Sequence, residues 1–262
     1  MHPRPGLLFV CATLVTGSLV AGPMAEEAGA TQLIPIWYQQ GACSQDPGLF
    51  ASTGFATRIE IQRNQRGTMS SSMSYWIGTY LRDGSFIQVG YHVKPTSPVG
   101  EQVRPFASYF PNGPNFNHDS DPNHRLEGPA FASGTFHWFN MTMGAPGVWT
   151  MTVDGAPFWN ITTTPLGSDA LVFVMSEVSQ GTIYNELRAA RFFPAALYRD
   201  GQGVWHAPQS AKACYYYQSD GNACTPAEGV IRPYTVGKGP TGVNDILSGR
   251  GAPCVQNTAR LW

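Results

Sequence analysis

Two polar residues stand inside runs that otherwise read as hydrocarbon. Gln88 interrupts Ser85-Phe86-Ile87-Gln88-Val89-Gly90-Tyr91, and Glu177 follows the apolar run Leu171-Val172-Phe173-Val174-Met175. An amide or a carboxylate held among hydrophobic strands is costly unless it is paired or used. Facing each other across one sheet, these two groups would make an amide-cleaving pair. Upstream, Trp76-Ile77-Gly78 leads through Arg82-Asp83-Gly84 into the glutamine run. Each residue also has a plain structural reading. Gln88 fits an outward position on a solvated strand, Glu177 the first exposed position after a buried one, and Trp76 a packing residue.

The elements that must position these residues are strands. Period-two alternation marks Thr57 to Gln62, Ser74 to Tyr80, Ser85 to Val93 and Val103 to Tyr109, then Thr135 to Met141, Val148 to Val153, Pro157 to Ile161 and Leu171 to Val178. Asp83-Gly84 and Asp154-Gly155 are hairpin signals. A content of 29 Gly and 21 Pro in 262 residues suits many tight turns, and long amphipathic helices are missing. Such spacing predicts an all-β sandwich or barrel. On the Gln88 strand, alternation sets Phe86, Gln88 and Gly90 on one face and Ile87, Val89 and Tyr91 on the other. The stretch from Gln32 to Leu49 reads as irregular, 112–128 as a polar loop or flap, and Arg188 to Tyr198 as one more strand around Pro194.

Residues 1–30 resemble an export signal. Arg4 precedes the apolar core Leu7 to Val20, and Ala28-Gly29-Ala30 offers small residues for cleavage before Thr31. Beyond it no apolar run is long enough to predict a membrane span in the mature chain. Cys43, Cys214, Cys224 and Cys254 then remain, which in an exported chain predicts two disulfides. Of three possible pairings, Cys214–Cys224 and Cys43–Cys254 are favoured. Beyond Trp205 the composition shifts to Gly, Pro, Asn and aromatics, so 31–205 reads as the sandwich and 206–262 as a disulfide-tied C-terminal extension. The 16 basic and 17 acidic residues leave no basic block for nucleic acid. The chain reads as a secreted, extracellular monomer.

Two family resemblances sharpen this. Phe136-His137-Trp138-Phe139-Asn140 followed by Val148-Trp149-Thr150-Met151-Thr152-Val153-Asp154-Gly155 resembles the aromatic strand and hairpin of concanavalin A-like jelly rolls. That implies a two-sheet antiparallel sandwich of the lectin and glucanase type. Trp76-x-Gly78, Gln88-x-Gly90 with Tyr91, and Ser108-Tyr109-Phe110-Pro111 resemble the signature of glutamic peptidases of the eqolisin and neprosin-like type, and Glu177 stands at the distance of their catalytic glutamate. The resemblance implies a glutamate acting as general base on water and a glutamine amide donating to the oxyanion. It further implies Trp76, Tyr109 and Tyr91 as substrate-binding residues, a polypeptide substrate, no cofactor and activity favoured by acid.

The rival reading is a non-catalytic, lectin-like module binding glycan. Trp138, Trp149, Trp159 and Tyr109 would stack on sugar rings, with Asn112, Asn115, Asn117 and Asp119 bonding hydroxyls. A sugar hydrolase is disfavoured, because no strand carries paired carboxylates. His118, His124, Asp119 and Asp121 lack the spacing of a metal shell, so no metal site is predicted. Asn140 and Asn160 each begin an N-x-T glycosylation sequon.

Overall fold

The structure is a computed structural model that describes residues 36–50, 52–62, 72–96, 100–111, 124–126, 129–163, 168–181, 188–216, 235–249, 252–254 and 259–262. The expected export signal lies outside these residues. All described segments belong to one compact unit, Leu33–Trp262.

The described strands form two antiparallel sheets. The first contains β1 (Ile36–Phe50), β3 (Ser72–Leu81), β4 (Phe86–Thr96), β5 (Gly100–Phe110), β6 (His124–Leu126), β10 (Ser168–Gly181) and β14 (Lys212–Tyr216). Its order is β14-β1-β10-β3-β4-β5-β6. The second contains β2 (Gly54–Glu60), β7 (Phe136–Met143), β8 (Val148–Val153), β9 (Ala156–Thr162), β11 (Ala190–Phe192), β15 (Thr235–Lys238) and β16 (Ile246–Gly249). It runs β15-β16-β11-β2-β7-β8-β9, with β12 (Leu197–Arg199) and β13 (Trp205–His206) paired beside β2. This is a two-sheet jelly roll.

Alternation explains how the sheets meet. Met73, Tyr75 and Ile77 of β3, Ile87, Val89, Tyr91 and Val93 of β4, and Val172 and Val174 of β10 join Phe139, Met141, Trp149 and Met151 of the second sheet in one buried core. Burying each large apolar side chain contributes roughly 1.5–3 kcal/mol. The opposite parity of the same strands builds a second aromatic cluster on the outer face of the first sheet, from Trp76, Phe86, Phe106, Phe110, Phe173 and Met175. The Asp154-Gly155 turn has φ of 49° and 81°. Positive values at both central residues match the twist of the strands it joins.

Four expectations need correction. The segment read as irregular, 32–49, holds β1, which lies between β10 and β14. Its Gly41 explains the misreading: a Cβ there would sit 1.9 Å from the Val174 carbonyl oxygen, so glycine marks close strand approach rather than a turn. The expected strand around Pro194 is two short strands, β11 and β12. The segment 206–262 is woven into both sheets through β14, β15 and β16 instead of standing outside the sandwich. Finally, Cys43 is bonded to Cys214, which replaces both favoured pairings. The β1–β14 register sets Cys214 opposite Gly41 and Lys212 opposite Cys43, bringing the two cysteines to a Cα separation of 5.9 Å. Cys254 is also disulfide-bonded, and Cys224 lies outside the described residues.

Candidate active site

Three transverse rows cross the outer face of the first sheet. One aligns Phe173, Gly78, Gln88 and Ser108, the next Met175, Trp76, Gly90 and Phe106, and the third Glu177, Ser74, His92 and Arg104. Gln88, Trp76 and Glu177 therefore share one face of one sheet. The glycines of the W-x-G and Q-x-G steps have a steric reason. A Cβ at Gly90 would lie 2.0 Å from the Tyr75 carbonyl oxygen and 2.6 Å from the Trp76 Cα, and one at Gly78 would lie 2.6 Å from the Phe86 ring. Both positions give the Trp76 strand its close approach.

Trp76 ties this face together. Its indole Nε1–H donates to Glu177 Oε2 at 2.8 Å, across a sequence separation of 101 residues. A buried carboxylate that accepts such a bond is held in one orientation. Gln88 is 2% exposed and Glu177 1%. The Gln88 amide nitrogen is shielded from solvent and has no hydrogen-bond partner among the described residues. An unsatisfied buried donor costs about 1–3 kcal/mol, so a protein that keeps one is retaining it against stability.

Tyr91 and Tyr109 do not join them. Tyr91 is fully buried in the inter-sheet core, where its ring stacks on Tyr75 at 4.7 Å. Its hydroxyl donates to the Glu60 carbonyl at 3.1 Å and accepts from Gln62 N–H at 3.0 Å. Burial, then the neighbouring Tyr75, push its phenol well above the ordinary value, so it stays neutral. Tyr109 packs against the same core. Both stand one residue out of phase with the outer face and cannot line a groove there. The sugar platform is split likewise: Trp149 is fully buried and Trp159 packs against the inter-sheet core, while Trp138 has the opposite parity to the buried Phe139. Asn112, Asn115, Asn117 and Asp119 lie outside the described residues, as do His118 and Asp121. No group that could hold a metal ion occurs among the described residues.

Three constellations escaped the sequence reading. His92 and Arg104 share the row of Glu177; parity with Gln88 and Phe106 gives their face, but the row depends on register between strands. On the second sheet, Thr135 Oγ1 lies 3.0 Å from His137 Nε2, and His137 Nδ1 lies 2.6 Å from Asp154 Oδ2. This has the order of a nucleophilic triad, but the Thr135 hydroxyl donates to the Ala132 carbonyl and Asp154 Oδ1 accepts from Trp138 N–H. It locks a hairpin. The third is Asp245, fully buried, which accepts from Arg191 Nε and Nη2 at 3.0 and 2.9 Å and from the Thr241 amide and hydroxyl. Burial alone would push its carboxyl up, yet the Arg191 and Thr241 bonds outweigh that and hold it below the ordinary range.

With this geometry in hand, the class of fold can be stated. The molecule superimposes on scytalido-glutamic peptidase, solved with a peptide-based transition-state analog, with a TM-score of 0.53 over 83% of this chain and 100% of that one, at 8% identity. SCP-B, a member of the eqolisin family of peptidases solved with the tripeptide Ala-Ile-His, gives 0.50 over the same shares at 9% identity. The chain thus has a glutamic-peptidase-like jelly-roll fold. At these identities the likeness is one of fold. No family model matches the sequence, and no curated protein matches it.

Proposed function

We propose that this protein is an exported glutamic-type endopeptidase. Glu177 takes a proton from a water that attacks the scissile carbonyl, and later returns it to the leaving amine. Gln88 donates its amide N–H to the oxyanion of the tetrahedral intermediate. Trp76 orients Glu177 through its indole N–H and floors the groove. Neither Gln88 nor Glu177 bonds covalently to substrate, and the chemistry needs no cofactor.

The observation carrying this reading is the Trp76–Glu177 hydrogen bond on a face that also holds a buried, unsatisfied Gln88 amide. The register separates Gln88 from Glu177 by two strands and four positions, roughly 16 Å between Cα atoms on a flat ladder. This chemistry requires the two side chains to lean toward each other, so that a water and a carbonyl fit between them at hydrogen-bond distances. Both groups are almost fully covered. The reading is tested by incubating a denatured protein with the parent, Glu177→Gln and Gln88→Ala between about pH 3 and 6, the range in which a carboxylate base works. Cleavage by the parent and loss in both variants supports it. No cleavage by the parent, or equal cleavage by all three, sinks it. The lectin-like alternative loses support from the burial of Trp149.

A further inference from the structure

The third row of the outer face extends beyond the residues assigned above. It runs Glu177, Ser74, His92, Arg104, from an anion at β10 to a cation at β5. Met73, Tyr75, Tyr91, Val93 and Val103, the chain neighbours of these positions, all belong to the inter-sheet core, so the row itself faces outward. Ser74 and His92 are 5% and 2% exposed. The His92 ring meets Phe106 edge-on with centroids 5.7 Å apart. Arg104 is half-buried, and its Nε–H is shielded from solvent without a hydrogen-bond partner among the described residues.

A guanidinium stays charged at any working pH, and its planar fork matches a carboxylate. A shielded guanidinium N–H lacking an acceptor is therefore a recognition element for an anion. At about 4.8 Å per strand, His92 stands roughly 10 Å and Arg104 roughly 14 Å from Glu177. An extended chain advances about 3.3 Å per residue, so those distances correspond to about three and four residues.

We propose that Arg104, with His92 beside it, forms a subsite for an acidic side chain, giving the peptidase a preference for Asp or Glu three to four residues from the scissile bond. The inference rests on the peptidase reading and names its substrate class. Arg104 supplies the fork. His92 stands next to it, its ring edge-on to Phe106. A polypeptide crossing the strands from Glu177 toward β5 would set its carboxylate against both.

The test uses peptide pairs that differ only by Glu or Gln at the third and fourth residues on either side of the cleaved bond. The parent is expected to favour the Glu peptide on one side by about tenfold in kcat/KM, through KM. Arg104→Gln removes the preference and Arg104→Lys keeps part of it, with thermal melting reporting that each variant folds. A second arm measures binding of the same peptides to Glu177→Gln, which needs no turnover. There the Glu peptide binds about tenfold tighter, and the difference disappears when Arg104→Gln is added. Equal binding and equal cleavage of the two peptides overturn the subsite while leaving the peptidase reading intact. A preference that survives Arg104→Gln also overturns it. Failure of the parent to cleave any peptide, with no binding by Glu177→Gln, removes both.

Discussion

The inner and outer faces of the first sheet are built from the same strands, yet they differ in how completely their polar groups are paired. On the inner face Tyr91, Tyr75 and Ser176 are closed off within the fold. Tyr91 bonds both Glu60 and Gln62, Tyr75 donates to the Arg188 carbonyl, and Ser176 pairs with Ser248. On the outer face the Gln88 amide and the Arg104 Nε–H have no partner among the described residues although solvent is excluded from both. Closed polar pairs specify packing. A buried donor with no acceptor among the described residues is a cost the fold carries, and Trp149 Nε1 in the inter-sheet core is another. Asp245, on the second sheet, behaves like the inner face, because its carboxylate is surrounded by Arg191 and Thr241 donors.

Substitutions can break or sharpen this contrast. The largest effect is expected from Glu177→Gln, which should lower kcat by about 10³-fold while the melting temperature stays close to the parent's. A parallel loss of stability and activity would instead make Glu177 a packing residue. Gln88→Ala should lower kcat by about 10²- to 10³-fold with KM little changed, the signature of a group that acts in the transition state. Next comes a matched pair read by urea unfolding. Tyr91→Phe leaves Gln62 N–H and the Glu60 carbonyl unpaired and should cost about 1–3 kcal/mol. Gln88→Met removes a donor that is already unsatisfied and should cost nothing or stabilise slightly. Equal losses in the two would erase the distinction between the faces.

The smallest effect concerns acid. The Asp245 carboxyl is held below its ordinary value in the folded chain. Its contribution is therefore complete above the unfolded-state value, about 3.9, and is lost as pH falls through the lower folded value. Unfolding free energy measured between about pH 2 and 5 should fall with acid in the parent, and less steeply in Asp245→Asn. An identical slope in the two would show that Asp245 is not responsible.

Much of the sandwich was legible because each strand repeats its own parity. Gln88, Gly90 and Phe86 separate from Ile87, Val89 and Tyr91 by alternation alone, and the structure keeps that division. Alternation also argued against Tyr91 as a groove residue, where the motif resemblance pointed to it. Pairings between distant strands were not legible. Nothing local in Ile36–Phe50 announces that it lies between β10 and β14, so the Cys43–Cys214 bond, closed across 171 residues, could not be read from spacing. The Arg191–Asp245 pair and the Glu177–His92–Arg104 row were hidden for the same reason: register between remote segments is set by the packed whole. The Trp76–Glu177 bond belongs to that class too.

The central claim is that Glu177 and Gln88 act jointly on one peptide carbonyl. Its most direct test is the affinity of a peptide whose scissile carbonyl is replaced by a tetrahedral, hydroxyl-bearing group, measured for the parent, Gln88→Ala and Glu177→Gln by calorimetry. Joint action predicts that the parent binds this analogue at least about 10²-fold tighter than the matching amide peptide, and that each substitution removes most of the gain. Equal affinity of the parent for analogue and amide, or a gain untouched by both substitutions, would contradict it.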